Sequence, residues 1–257
     1  MVRVLQLVIS LFLAACQTGQ VVQPGLDLSN ARAIAELFLE KQQKREEGIY
    51  GLEGISRVIF QNKVDRFASK QVIVAERPAR LRLESLGFFN QRVSIFSTDG
   101  ENYSYFQKGL AKVERGRVYS SVLLDKVGIP ISTTEAVALL LGVPPLSPRT
   151  LILNSKQKGE RLLVLLLSPE GSKDTLVFDL EGKLLAFKRH SLGGPSSMEI
   201  SYENFRPVKN FGYFAYEVSF FFPEQGVRVT VAFQELGLNS RISRKTFMIK
   251  PLGKSAH

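Results

Sequence analysis

From Val227 to Gln234 the chain alternates strictly, with Val227, Val229, Val231 and Phe233 on one side and mostly polar residues on the other. A repeat of two is the signature of a strand buried on one face. Ala79 to Glu84 alternates in the same way, and Ser56 to Phe60 does so less cleanly. Turn signals separate the runs at Asp99-Gly100, Arg115-Gly116, Glu170-Gly171, Glu181-Gly182 and Glu224-Gln225-Gly226. Asp174 to Arg189, with Glu181-Gly182 at its tip, reads as a hairpin. The pattern predicts about ten or eleven strands. Hairpins that follow one another without helices between them predict an antiparallel sheet.

Two stretches change period. Ala31, Ile34, Ala35, Leu37 and Phe38 recur at three- and four-residue spacing, one face of an amphipathic helix that Ser29 or Asn30 can cap. Lys41 to Glu47 is charged on all sides, and Gly48 stops the helix. The second stretch opens with Ser132-Thr133-Thr134-Glu135, a capping box, and continues through Ala136, Val137, Leu139, Leu140 and Leu141 to Gly142. Pro144-Pro145 forbids continuation. The expected class is therefore mainly β, of the α+β kind.

A sheet this long must curl or close to hide its apolar face, and two short helices cannot cover it. A half-open antiparallel β-barrel with a small helical lid is the economical solution. Phe60, Leu81, Leu83, Val93, Ile95, Val218, Phe220, Val229, Val231 and Phe233 would line its interior, and Ile34, Phe38, Val137 and Leu140 would face it from the lid. Those side chains either pack a solid core or leave a cavity suited to an apolar ligand.

Composition narrows the function. Hydrophobic residues at 44% and charged residues at 23% exclude wholesale disorder. The single cysteine excludes an internal disulfide framework and a Cys-based zinc site. Two histidines, one of them the final His257, exclude a His-rich metal centre. With 34 basic against 24 acidic residues the net charge is +10, which calls for an anionic partner. No Ser-His-Asp or Cys-His set can be assembled, and no P-loop or dinucleotide fingerprint is present. His190 falls at a strand end, Glu46-Glu47 on a solvated helix face, and Glu135 serves the capping box. An enzyme is not expected, and neither a cofactor nor a metal is.

The amino terminus explains the lone cysteine. Arg3 makes a short positive region, Val4 to Phe12 is nearly all apolar, and Leu13-Ala14-Ala15-Cys16 follows. The apolar run is too short to span about 30 Å of hydrocarbon, so it reads as a signal peptide. Small residues before a cysteine resemble a bacterial lipobox. That resemblance implies removal of residues 1–15, acylation of Cys16 with palmitate-like chains, and a tether over residues 16–27. Gln17, where an Asp would retain a lipoprotein at the inner membrane, implies the periplasmic face of the outer membrane. Nucleic acid is not expected as a partner of such a chain.

Residues 28–257 are expected to form a single domain, and a family resemblance runs through it. Pro78-Ala79-Arg80-Leu81-Arg82-Leu83-Glu84 leads to an apolar turn, Leu86-Gly87-Phe88-Phe89, and a strand from Arg92 to Ser97. Asp99-Gly100 follows, then Gly128-Ile129-Pro130-Ile131 and a helix ending in Leu140-Leu141-Gly142. In this order the segment resembles LolB, the outer-membrane lipoprotein receptor, and more loosely the periplasmic carrier LolA. After Ser147 the match is one of strand pattern only.

The resemblance implies a half-open barrel whose cavity takes the acyl chains of lipoproteins or phospholipids, served by a periplasmic lipoprotein carrier. It further implies that Leu86, Phe88 and Phe89 form a loop that touches the bilayer. The residues agree that this turn is unusual, since adjacent phenylalanines at a tip expose apolar area. The alternative is that they fold back on the core. A second function class also stands: a non-catalytic assembly or scaffold lipoprotein of the cell envelope, using the same fold to bind protein.

Overall fold

The computed structural model describes residues 30–110, 112–190 and 196–249. The signal peptide, Cys16, the tether over residues 16–27, and Ser29 lie outside the described residues.

Every alternating run becomes a strand. The order is α1 (Ala31–Gly48), β1 (Gly51–Gln61), β2 (Arg66–Glu76), β3 (Arg80–Leu86), β4 (Arg92–Thr98), β5 (Asn102–Gln107) and β6 (Glu114–Arg117). Then come α2 (Val122–Val127), α3 (Thr133–Leu140), β7 (Leu151–Lys158), β8 (Arg161–Leu167), β9 (Lys173–Asp179) and β10 (Leu184–His190). The chain closes with β11 (Ser196–Val208), β12 (Gly212–Phe222) and β13 (Val227–Leu238). The strands make one sheet in the order β6-β5-β4-β3-β2-β1-β13-β12-β11-β10-β9-β8-β7. The long β1–β13 pair, running from Leu52 opposite Leu238 to Gln61 opposite Arg228, joins the two halves. β6 and β7 stay at the edges, so the barrel is open as expected.

Three expectations need correction. The sheet has 13 strands, not ten or eleven. Arg115-Gly116 is not a turn: Gly116 sits within β6, where a Cβ would meet the Tyr103 ring at 2.8 Å. The glycine serves close approach rather than a reversal. Among the described residues there are also three α-helices rather than two, because α2 spans only 6 residues. That is shorter than the window in which helical periodicity is detectable. Gly128, left-handed at φ 76, ends it.

The helices divide the concave face. Asn30 caps α1 by accepting from the Ala33 N–H, and the helix lies against β7 and β8. There Phe38 meets Phe178 edge-on, with ring centroids 5.5 Å apart. Gly182 closes the β9–β10 hairpin beneath it at φ +84, and a Cβ there would sit 2.9 Å from the Phe38 ring. Both facts require glycine at that turn. α3 lies instead over β2 and β3. Its capping box is complete: the Glu135 N–H donates to Ser132 Oγ, and Glu135 Oε2 accepts from the Ser132 N–H.

A salt-bridge cluster fixes α3 to the far half of the sheet. Arg189 on β10 donates twice to Asp174 on β9, at 2.9 and 3.0 Å. The same guanidinium donates to Glu135 Oε1 at 3.2 Å and to the Pro145 carbonyl at 2.7 Å. Asp174 is only 1% exposed.

The carboxy-terminal segment covers the convex face. Arg82 donates to the Thr246 carbonyl at 3.1 Å and Arg115 to the Ile249 carbonyl at 3.2 Å, with Phe247 and Ile249 buried. Glu84 lies on this face, bonded by Arg82 at 2.6 Å and Arg92 at 2.5 Å. Burial by itself pushes the Glu84 carboxyl up, but the hydrogen bonds and charges of the two arginines hold it below the usual range. A carboxylate depressed in the folded state contributes stability above its unfolded pKa and loses it as pH falls through the folded value. Glu84→Gln should therefore melt below the wild type near neutrality. The gap in Tm should be constant above about pH 5 and should narrow progressively below about pH 4. Thermal melts between these limits check this; a gap independent of pH would contradict it.

Candidate functional site

On the concave face, beyond the reach of α1, lies an apolar cavity of about 800 Å³. That is within the range of about 300–1,000 Å³ that small-molecule sites occupy. Its wall is built by β1 to β5 with β12 and β13, and its roof by α2, α3 and the turn between them. Seven of the residues expected to line the interior do so: Phe60, Leu81, Leu83, Val93, Phe220, Val229 and Val231.

Three do not. Ile95 points to the convex face, in register with Glu84, and is buried there at 2% exposure. Its regular pairing puts it there, and a register shift between Ser85 and Leu86 displaces Val93 instead. It leaves Val93 at the cavity mouth while Ile95 takes the opposite side, so simple alternation fails across it. Val218 and Phe233 are on the inner face but belong to the packed core. Of the lid residues, Leu140 reaches the cavity; Ile34 and Phe38 are core because α1 seats on the other half of the sheet, and Val137 of α3 is fully buried in the core as well.

The helical side of the site was illegible from periodicity. Leu123 and Val127 enter from α2, Ile129 and Ile131 from the Gly-Ile-Pro-Ile turn, and Ala136 from α3. The resemblance marked that turn without giving it a role. Within the wall, Ser85 and Ser94 face each other across β3 and β4, leaving room that larger side chains would fill.

The mouth opens at the end of the sheet where β1–β2, β3–β4 and β5–β6 turn. Leu86 lies in the wall at the base of the β3–β4 tip, and Phe88 borders the mouth. Phe88 is 86% and Phe89 101% exposed, so the tip does not fold back on the core. Phe89 and Asn90 are left-handed at φ 60 and 58, a conformation that costs about 1–3 kcal/mol in a residue with a side chain. The Gly87 N–H to Gln91 carbonyl bond at 2.8 Å and the Lys70 ammonium on Asn90 Oδ1 at 3.3 Å brace it. Two neighbouring tips add apolar residues that were not singled out from the sequence. Val64, 88% exposed, stands between Lys63 and Asp65 with Arg66 next, and Leu110, 46% exposed, between Lys108 and Lys112. Phe67 stacks on Phe60 at 5.1 Å just inside. Short hairpin tips carry no periodicity, so only their shared position reveals the set.

Among the described residues no cluster of His, Cys, Asp or Glu is arranged to hold a metal ion, and no helix is long and apolar enough to cross a membrane. His190 ends β10 and Glu135 is engaged by Ser132 and Arg189.

An open antiparallel half-barrel with helices over an apolar cavity defines the class of folds to which LolA belongs. Solved structures place the chain in that class. A domain assigned to outer-membrane lipoprotein sorting from Vibrio parahaemolyticus superposes with a TM-score of 0.58 at 11% identity, covering 82% of this chain and 94% of that one. A LolA superfamily protein from Nitrosomonas europaea gives 0.58 at 11% identity over 84% and 97% of the two chains. A DUF1329 family protein from Desulfovibrio piger gives 0.57 at 6% identity over 83% and 96%. By sequence, no family model and no curated protein matches the chain. The resemblance first carried by Pro78 to Pro145 thus extends, as fold, over most of the chain.

Proposed function

We propose that this is a lipid-anchored envelope protein that takes acyl chains of lipoproteins or phospholipids into its cavity and delivers them at the outer membrane, as a LolB-like receptor does. One observation carries the reading: the half of the concave face not covered by α1 is open, apolar and large enough for a ligand. Its mouth is ringed by exposed apolar tips interleaved with lysines and arginines, which suits a bilayer carrying anionic lipid. Acylation of Cys16 would keep the protein at that surface, since each buried CH₂ contributes about 0.8 kcal/mol. A mouth facing the membrane from a short tether lets cargo pass without crossing water. A purely scaffolding role would leave the open cavity without a use.

The test separates binding from delivery. The chain from Gln17 onward, isolated from a bacterial periplasm without detergent, should carry a discrete acyl mass in native mass spectrometry. The double variant Phe88→Ser, Phe89→Ser should keep that mass and its Tm. It should lose association with phosphatidylglycerol-containing vesicles by at least about 100-fold, because each Phe withdrawn from lipid costs about 2 kcal/mol. A bare apo mass would overturn the cavity's role, and unchanged vesicle binding would overturn the tip's.

A further inference from the structure

A second cleft, of about 260 Å³, lies beneath the carboxy-terminal half of α1, on the far side of Leu140 from the acyl cavity. Its chemistry is the opposite of the cavity's. Gln42 and Arg45 enter it from α1, and Lys41 stands at its edge with the ammonium 3.4 Å from the Glu181 carbonyl. The Arg45 guanidinium lies 5.3 Å from the centre of the Phe214 ring and donates to the Tyr213 carbonyl at 3.3 Å. Burial lowers its pKa, and no carboxylate acts in the other direction. Lys183, by contrast, is neutralised by Glu181 and Asp179. Gln42 is 7% exposed, and its Oε1 is enclosed with no hydrogen-bond partner among the described residues. The Tyr202 hydroxyl that floors the cleft is already committed as a donor to the Leu139 carbonyl at 3.2 Å.

A half-buried guanidinium without a carboxylate among the described residues is costly unless a ligand answers it. We propose that this cleft binds a phosphate group, its oxygens accepting from the Arg45 guanidinium. The planar fork of arginine suits two phosphate oxygens at once. The volume fits a glycerophosphate-sized group, since a water occupies about 30 Å³. The two cavities share only Leu140 among their lining residues, so the proposal does not depend on acyl binding.

The free anion and the head group of a lipid offer the same chemistry, and the experiment uses both. The full chain is titrated calorimetrically with sn-glycerol 3-phosphate, inorganic phosphate and dihexanoyl-phosphatidylglycerol. Saturable binding of glycerol 3-phosphate supports a free ligand; binding of the lipid alone assigns the site to a head group. In either case Arg45→Met should weaken binding by about 10–100-fold, the loss expected for a charge-assisted hydrogen bond. Arg45→Lys should fall between Met and the wild type. Circular dichroism and thermal melts accompany each variant. A merely structural Arg45 would show a lowered Tm with Met and no phosphate dependence, and that result overturns the proposal. So does the absence of binding by all three probes to the wild type, or binding that Arg45→Met leaves unchanged.

Discussion

Arg189→Met is expected to lower the stability of this protein more than any other single substitution described above, by about 3–5 kcal/mol. The guanidinium joins three elements: it pairs with the buried Asp174, bonds Glu135 of the α3 capping box and bonds the Pro145 carbonyl. Its removal leaves Asp174, 1% exposed, as a buried charge without its arginine. That desolvation cost, rather than the lost attraction, sets the magnitude. For a domain of this size 1 kcal/mol moves Tm by about 2–4 °C, so a fall of roughly 10 °C is expected. The double variant Arg189→Met, Asp174→Leu should recover most of it, because both charges then leave together. Thermal melts of the two single variants and the double variant form the cycle. A double variant as unstable as the sum of the single ones would show no coupling between Arg189 and Asp174, so that each loss came from its other contacts and not from a stranded charge.

The second large effect concerns the cavity. Ser94→Trp places an indole where Ser94 and Ser85 now leave space on the inner face of β4 and β3. Each CH₂ denied the cavity forfeits about 0.8 kcal/mol, so excluding three or four weakens acyl binding by roughly 100-fold. Because the side chain enters open volume rather than a packed core, Tm should move by no more than about 2 °C. Displacement of a fluorescent fatty acid measures the affinity. Unchanged affinity would place the acyl chain elsewhere. Ser97→Trp on the same strand is a useful contrast: Ser97 is fully buried, so its replacement should disrupt the fold.

The two effects meet at α3. The helix roofs the apolar cavity through Ala136 and Leu140, and the same helix is fixed from outside the cavity by Glu135 and Arg189. An open binding site needs a roof that does not collapse into it. Apolar packing alone would favour collapse, since it gains from filling the void. A salt-bridge cluster anchored to β9 and β10 gives the roof a position set by directional bonds.

Much of this architecture was legible along the chain. Strict alternation at Val227 to Gln234 identified β13 and its buried face, because the period of a strand is local. The Ser132–Glu135 spacing identified the start of α3, and Asn30 the start of α1, because capping bonds span only a few residues. The Glu181-Gly182 turn set the β9–β10 hairpin for the same reason. The openness of the barrel followed from counting apolar faces against the helices able to cover them.

What only the tertiary structure decided was which residues share a space. The register shift beside Ser85 put Val93 and Ile95 on opposite faces, and a shift of that kind depends on the partner strand rather than on the residue's own neighbours. α1 took the far half of the sheet, so Ile34 and Phe38 became core and the near half was left open. Arg45 and Gln42 came together with Tyr202 from more than a hundred residues away, a juxtaposition no local pattern encodes. Periodicity reports which side of an element is apolar; which element that side meets depends on contacts between residues distant in the chain.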